Sequence, residues 1–91
     1  IPGSQVTIAT TAVNWGGRFD RRALASGTDG MMIMGYDYHW SGSSNSGAVA
    51  PLTGGTYNVT NTVLDYLVAS NYHREKLILG VPYYGYEWKT N

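Results

Sequence analysis

Cysteine is absent from the 91 residues, which excludes disulfides and thiolate metal sites and removes the usual argument from disulfides to compartment. Charge is scarce as well. Six acidic and six basic residues cancel, charged residues make up only 13% of the chain, and neither sign clusters. The electrostatic footprint that nucleic acid or an anionic membrane surface requires is therefore missing. No apolar run approaches the length of a membrane span, and the N-terminus lacks the basic segment and hydrophobic stretch of a signal peptide. His39 and His73 stand apart, without the neighbours or spacing of a metal site. Neither metal nor cofactor is expected.

What the chain does have is tyrosine: eight, with three tryptophans and one phenylalanine. Many rings and few charges suit a surface that stacks on, and hydrogen-bonds to, polar but uncharged ligands. Sugars fit that description. The length allows one small domain at most. Ile1-Pro2-Gly3-Ser4 reads as the end of a loop, which suggests a segment of something longer.

The apolar patterning alternates strand and helix. Gln5 to Val13 is β-branched and stops at Asn14-Trp15-Gly16-Gly17, predicting a strand. Phe19 to Ser26 carries Phe19, Ala23 and Leu24 at helical spacing, with Asp20 as cap and Gly27 as terminator. Met31 to Tyr36 is apolar on both faces, as in a helix-covered parallel sheet. Ser41 to Gly55 is a long polar loop of the kind that is functional or disordered. Val59 to Ser70 predicts a helix with Val59, Val63, Tyr66 and Leu67 on one stripe, Asn58 or Thr60 at its N-cap and Asn71 at its stop. Asn58-Val59-Thr60 also matches a glycosylation acceptor, although capping is the better account of an isolated match. Leu77 to Pro82 predicts the third strand.

Three strands alternating with two helices imply parallel pairing through right-handed crossovers, so all the strand C-termini emerge on one edge. In α/β proteins ligands bind there. That edge would gather Asn14 and Trp15, then Tyr36, Asp37, Tyr38 and Trp40, then Tyr83, Tyr84, Tyr86, Glu87 and Trp88. Period-two geometry puts Tyr36, Tyr38 and Trp40 on one side of their strand, and Tyr84, Tyr86 and Trp88 on one side of theirs, for as far as each stays extended. Asp37 either caps a turn or orients a substrate group. Asp37 and Glu87 come from different strands, and their separation as an acid/base pair cannot be read from sequence.

Met34-Gly35-Tyr36-Asp37 resembles the Met-x-Tyr-Asp motif that ends the sixth barrel strand of glycoside hydrolase family 18, the chitinases and their relatives. Gly47 to Leu52 is similar to the Ala-Pro-Leu that follows it after a Gly/Ser-rich loop. Lys76-Leu77-Ile78-Leu79-Gly80-Val81-Pro82-Tyr83-Tyr84-Gly85 resembles the seventh strand. The resemblance implies a parallel β-α-β-α-β segment of a TIM (β/α)8 barrel, a fold of ~250 residues. Residues 1–91 would supply about strands five to seven, a C-terminal portion of the catalytic barrel.

By the same resemblance, Tyr36 and Asp37 would be catalytic, Tyr36 donating to the substrate acetamido oxygen and Asp37 contacting the distorted sugar. Met34, Trp40, Tyr84 and Tyr86 would bind substrate. The usual Tyr-Gly-Arg is here Tyr84-Gly85-Tyr86, which replaces a guanidinium by a phenol. The family's general acid closes a DxxDxDxE motif on the fourth strand, and no such spacing exists among Asp20, Asp29, Asp37, Asp65, Glu75 and Glu87. The implied partner is an oligosaccharide or polysaccharide containing N-acetylglucosamine, and the implied location is secreted or at the cell surface. The implied activity is substrate-assisted hydrolysis of β-1,4-linked N-acetylglucosamine polymers, and the alternatives are a non-catalytic carbohydrate-binding barrel or a segment that self-associates through open barrel edges.

Overall fold

The computed structural model describes residues 3–89, in which strands and helices alternate: β1 (Thr7–Thr11), α1 (Arg21–Gly27), β2 (Gly30–Met34), α2 (Val59–Ala69) and β3 (Leu77–Gly80). The strands form one parallel sheet in the order β1-β2-β3. Met34 at the end of β2 lies opposite Thr11 on one side and Gly80 on the other. The alternation expected from the sequence is the one that forms, and the three strand C-termini share an edge.

Each strand is shorter than its pattern suggested. The Thr11 hydroxyl donates to the Val13 carbonyl at 2.6 Å, turning the chain at the end of β1. After Met34 the amides of Gly35 and Tyr36 reach back to Ile33 and Met34, both at 2.9 Å, so β2 closes into tight turns before Tyr36. β3 stops at Gly80, two residues before Pro82, which has no N–H to offer a ladder.

The helices start where side chains can hold their first amides. Phe19 is kept out of α1 because its N–H is taken by Asn14 Oδ1 at 3.0 Å. The cap is Asp20, whose Oδ1 accepts from the Ala23 amide at 3.1 Å. Gly27 is the last helical residue, and the Thr28 amide and hydroxyl both donate to the Leu24 carbonyl. Asn58 caps α2 by accepting from the Asn61 amide at 2.8 Å, while its own amide nitrogen donates to Gly54 O at 3.1 Å. It is buried and bonded at both ends of its amide. Past α2, Asn71 and Tyr72 both take left-handed backbone conformations.

The apolar core is small: Ala25, Met31, Ile33 and Tyr66, flanked by Ile8, Leu24 and Leu77. The expected stripe on α2 is rotated. Of Val59, Val63, Tyr66 and Leu67 only Tyr66 is buried; the buried line is instead Asn58, Thr62, Tyr66 and Ser70, four residues apart and largely polar. The cause lies at the end of β1, where carbonyls without a ladder partner need donors. Tyr66 donates its hydroxyl to Thr11 O at 2.5 Å, and Thr62 donates to Ala12 O at 3.1 Å. Arg21 on α1 pairs with Asp65 at 2.6 Å and lies over the Tyr66 ring, 4.8 Å from its centroid.

Because the Thr62 proton goes to Ala12 O, the Tyr38 hydroxyl that bonds Thr62 Oγ1 must be the donor in that pair. Thr62→Val removes both bonds and leaves a part-buried carbonyl and a phenol unpaired. The expected cost is about 1–3 kcal/mol, measured in the full-length protein as a shift of its urea unfolding midpoint.

Candidate functional site

At the C-terminal edge of the sheet, backbone closeness comes first. A Cβ on Gly35 would lie 2.8 Å from the Gly80 carbonyl oxygen, and one on Gly80 would lie 2.9 Å from Met32 Sδ and 3.3 Å from the Tyr36 ring. Two glycines at facing strand ends therefore let β2 and β3 meet closely and leave room for the Tyr36 side chain. Directly after Tyr36, Asp37 adopts φ 58°, a left-handed conformation that aspartate tolerates better than bulkier residues.

That one dihedral ends the expected alternation. Tyr36, Tyr38 and Trp40 do not form a ladder on one side of an extended strand, because β2 ends at Met34 and Asp37 redirects the chain. Tyr38 is drawn onto α2: its amide donates to Val49 O at 2.9 Å and its hydroxyl to Thr62. Burial raises the Tyr38 phenol above the usual tyrosine value, and the Thr62 contact only partly offsets this. Trp40 is half exposed and seated against Gly42, where any Cβ would strike its ring.

Asp37 is the acceptor at the centre of the edge. Tyr84 donates its hydroxyl to Asp37 Oδ1 at 2.7 Å, and Tyr86 donates to the same oxygen at 3.0 Å. The hydrogen bond to Asp37 pushes both phenols above the usual tyrosine value, so both remain protonated donors at neutral pH. Their rings meet edge to face with centroids 5.7 Å apart, Tyr84 meets Tyr36 at 6.1 Å, and Tyr86 meets Trp88 at 6.1 Å. Trp88 Nε1 donates to Trp40 O at 3.2 Å, tying the segment after β3 to the loop after β2. The tyrosines expected on one side of a third strand thus converge through ring contacts beyond the strand's end.

A cleft of about 450 Å³ opens beside this cluster, lined by Met34, Tyr36, Asp37, Tyr38 and Trp40 from the β2 side and by Thr11 to Val13, Trp15 and Tyr57 from the β1 and α2 side. Of the residues singled out from sequence, Met34, Tyr36, Asp37 and Trp40 line it. Tyr84 and Tyr86 stand behind Asp37 and reach the site through its carboxylate. Among the described residues the Tyr36 hydroxyl makes no hydrogen bond to protein. Glu87 is exposed and outside the cleft lining. No group of three or more His, Asp or Glu among the described residues is placed to hold a metal ion.

Tyr57 was not singled out from sequence, since it lies in a Gly/Thr-rich stretch just before a helix cap. The only available signal was an aromatic side chain in a segment otherwise built of small polar residues.

The sequence model described as glycosyl hydrolases family 18 matches residues 3–91. The chain is similar to Probable chitinase 10 of Drosophila melanogaster, 38% identical over 73 residues that cover 74% of this chain and 3% of that protein. It is also similar to the Putative sporulation-specific glycosylase YdhD of Bacillus subtilis (strain 168), 35% identical over 91 residues that cover 94% of this chain and 20% of that protein. Among solved structures, Ostrinia furnacalis Group IV chitinase in complex with allosamidin superposes with a TM-score of 0.79 and 33% identity, over 90% of this chain and 25% of that one. The parallel sheet and its helices match part of that chitinase's TIM barrel. The chain spans a fifth or less of the length of these two sequence relatives.

Proposed function

The chain belongs to glycosyl hydrolases family 18, and on that premise we propose that it forms part of a barrel hydrolysing β-1,4-linked N-acetylglucosamine polymers, chitin or a related glycan. The observation that carries this reading is the cleft wall made by Met34, Tyr36 and Asp37 at the end of the central strand, with Asp37 held by two phenols.

In the substrate-assisted route the N-acetyl carbonyl oxygen of the sugar attacks its own anomeric carbon, while a glutamic acid protonates the leaving oxygen. This departs from the scheme of two protein carboxylates. The barrel must hold the acetamido group in line. The Tyr36 hydroxyl, which makes no hydrogen bond to protein among the described residues, donates to the acetamido oxygen, and that bond strengthens as charge develops. Asp37 contacts the distorted sugar, held in place by Tyr84 and Tyr86. The missing guanidinium of the Tyr-Gly-Arg pattern is replaced by Tyr86, a neutral donor to the same carboxylate. Met34 and Trp40 line the subsites on either side.

The general acid would come from outside residues 1–91, on a preceding strand, which makes this segment about strands five to seven of eight. Ile78 and Leu79 on β3, Val81 just after it and Val6 before β1 are all exposed. Their exposure suits surfaces met by the rest of a barrel.

The test compares two preparations. The full-length protein is expected to release fluorophore from a chitooligosaccharide conjugate, and residues 1–91 alone are expected to release none above a buffer control. Activity from the 91 residues alone would show that the acid lies within them. A Gln or Leu at the last position of DxxDxDxE in the preceding encoded residues would replace hydrolysis by carbohydrate binding alone.

A further inference from the structure

The cleft occupies the C-terminal edge of the sheet. Toward the opposite edge lies a separate hollow of about 360 Å³, in which none of the residues assigned to hydrolysis takes part. Its walls are Arg22 and Ser26 on α1, Ser70 and Asn71 just past α2, and His73 and Lys76 in the turn that leads into β3. Along the sequence neither sign of charge clusters, but here the fold gathers an arginine, a lysine and a histidine from separate elements. No carboxylate lines the hollow with them. We infer that it is an anion site, taking a phosphate or sulfate group that is either free or carried on a small molecule.

The cations are left without the partners that such groups usually find. Arg21 on the same helix has its carboxylate in Asp65, yet among the described residues no ion pair joins Arg22, His73 or Lys76 to an acid. Arg22 is exposed, and its guanidinium makes no hydrogen bond to protein among the described residues. Its planar fork of N–H donors matches two oxygens of one oxyanion. The other two side chains are already held in place. Lys76 Nζ donates to Thr28 O at 2.7 Å, which uses one of its three protons. His73 Nδ1 donates to Ser70 O at 2.7 Å, since a carbonyl can only accept, and Nε2 is left over. Groups fixed in this way lose little freedom when a ligand arrives.

Helix C-termini would ordinarily oppose an anion here, because their last carbonyls carry partial negative charge. At this hollow those carbonyls have donors. Leu24 O accepts from both the amide and the hydroxyl of Thr28, Arg22 O accepts from the Ser26 hydroxyl at 2.9 Å, and Tyr66 O accepts from the Ser70 amide at 2.9 Å. The charged side chains therefore set the sign of the hollow. Its volume lies in the range of small-molecule pockets, so a phosphate group with a small organic body also fits. Every wall comes from two consecutive helices and the turn after them, so the site does not depend on the carbohydrate reading.

The experiment is titration calorimetry of the full-length protein with inorganic phosphate, sulfate and glucose 6-phosphate, in low-salt buffer that contains none of them. Saturable binding of at least one is expected. Arg22→Gln should weaken that binding about tenfold, and Arg22→Glu should abolish it; both alter an exposed side chain on which no protein hydrogen bond depends among the described residues. Arg74→Gln removes a charge beside His73 but outside the lining, and should leave the affinity nearly unchanged. Tighter binding of glucose 6-phosphate than of phosphate, lost in Arg22→Gln, would identify a phosphomonoester as the ligand, and equal affinities would identify the free anion. No saturable binding of any of the three would overturn the site. Equal weakening by Arg22→Gln and Arg74→Gln would overturn it as well, since diffuse surface charge would then account for the attraction.

Discussion

Tyr36→Phe in the full-length protein is expected to lower turnover of a chitooligosaccharide by about 10²-fold, the scale of removing one preorganised donor to a developing oxyanion. The substitution deletes a hydroxyl that makes no hydrogen bond to protein among the described residues, so little of the loss can come from collapse of a network. The ring stays to fill the space beside Gly80 and Tyr84. If the hydroxyl acts on charge that develops during reaction, kcat and kcat/KM fall together and KM changes little. A rise in KM at constant kcat would mean that Tyr36 binds the ground state alone, and an unchanged rate would remove it from the mechanism.

The second large effect is expected from the tyrosines behind Asp37, and its form matters as much as its size. Tyr84 and Tyr86 donate to the same carboxylate oxygen, at 2.7 and 3.0 Å, so either one alone still restrains Asp37. Single changes to Phe should therefore be mild. Tyr84→Phe/Tyr86→Phe together release the carboxylate and should lower kcat/KM by about 10²-fold, as misplacement of a positioning group by an ångström does. The double variant should thus fall by much more than the product of the singles, which is the signature of one shared function. Steady-state kinetics on the four proteins measures this directly. Multiplicative single effects would mean that each tyrosine acts on substrate independently.

The sequence made the alternation of strands and helices legible because three apolar runs rich in β-branched or long aliphatic residues are cut off by Gly, Pro or Asn, and because Asp20 and Asn58 stand at helix starts. Convergence of Tyr36, Asp37 and the aromatics that follow β3 came from topology, since parallel strands share an exit edge. The local geometry of the site did not follow. The backbone turn at Asp37 depends on a single left-handed residue, which aspartate permits without requiring. The contacts of Tyr84 and Tyr86 with Asp37 span 47 and 49 positions, beyond any local periodicity. The strand boundaries retreated because hydrogen-bond partners ran out, although the apolar pattern continued. On α2 the hydrophobic rule named Val59, Val63 and Leu67, whereas the buried line was chosen by the carbonyls at the end of β1.

That polar line on α2 has a consequence for recombination. Aliphatic stripes can settle at several neighbouring positions along a sheet, but a slip of one helical turn moves each side chain by about 5.4 Å, which would carry Thr62 and Tyr66 out of reach of Ala12 and Thr11. The crossover helix therefore has a single seat, and through Thr62 it also sets the depth at which Tyr38 enters the cleft wall. In chimaeras that exchange this helix between homologous barrels, transplants that retain a hydroxyl at position 62 and a phenol at position 66 should keep the cleft intact. Better-packed but wholly aliphatic replacements should fold onto the same sheet out of register.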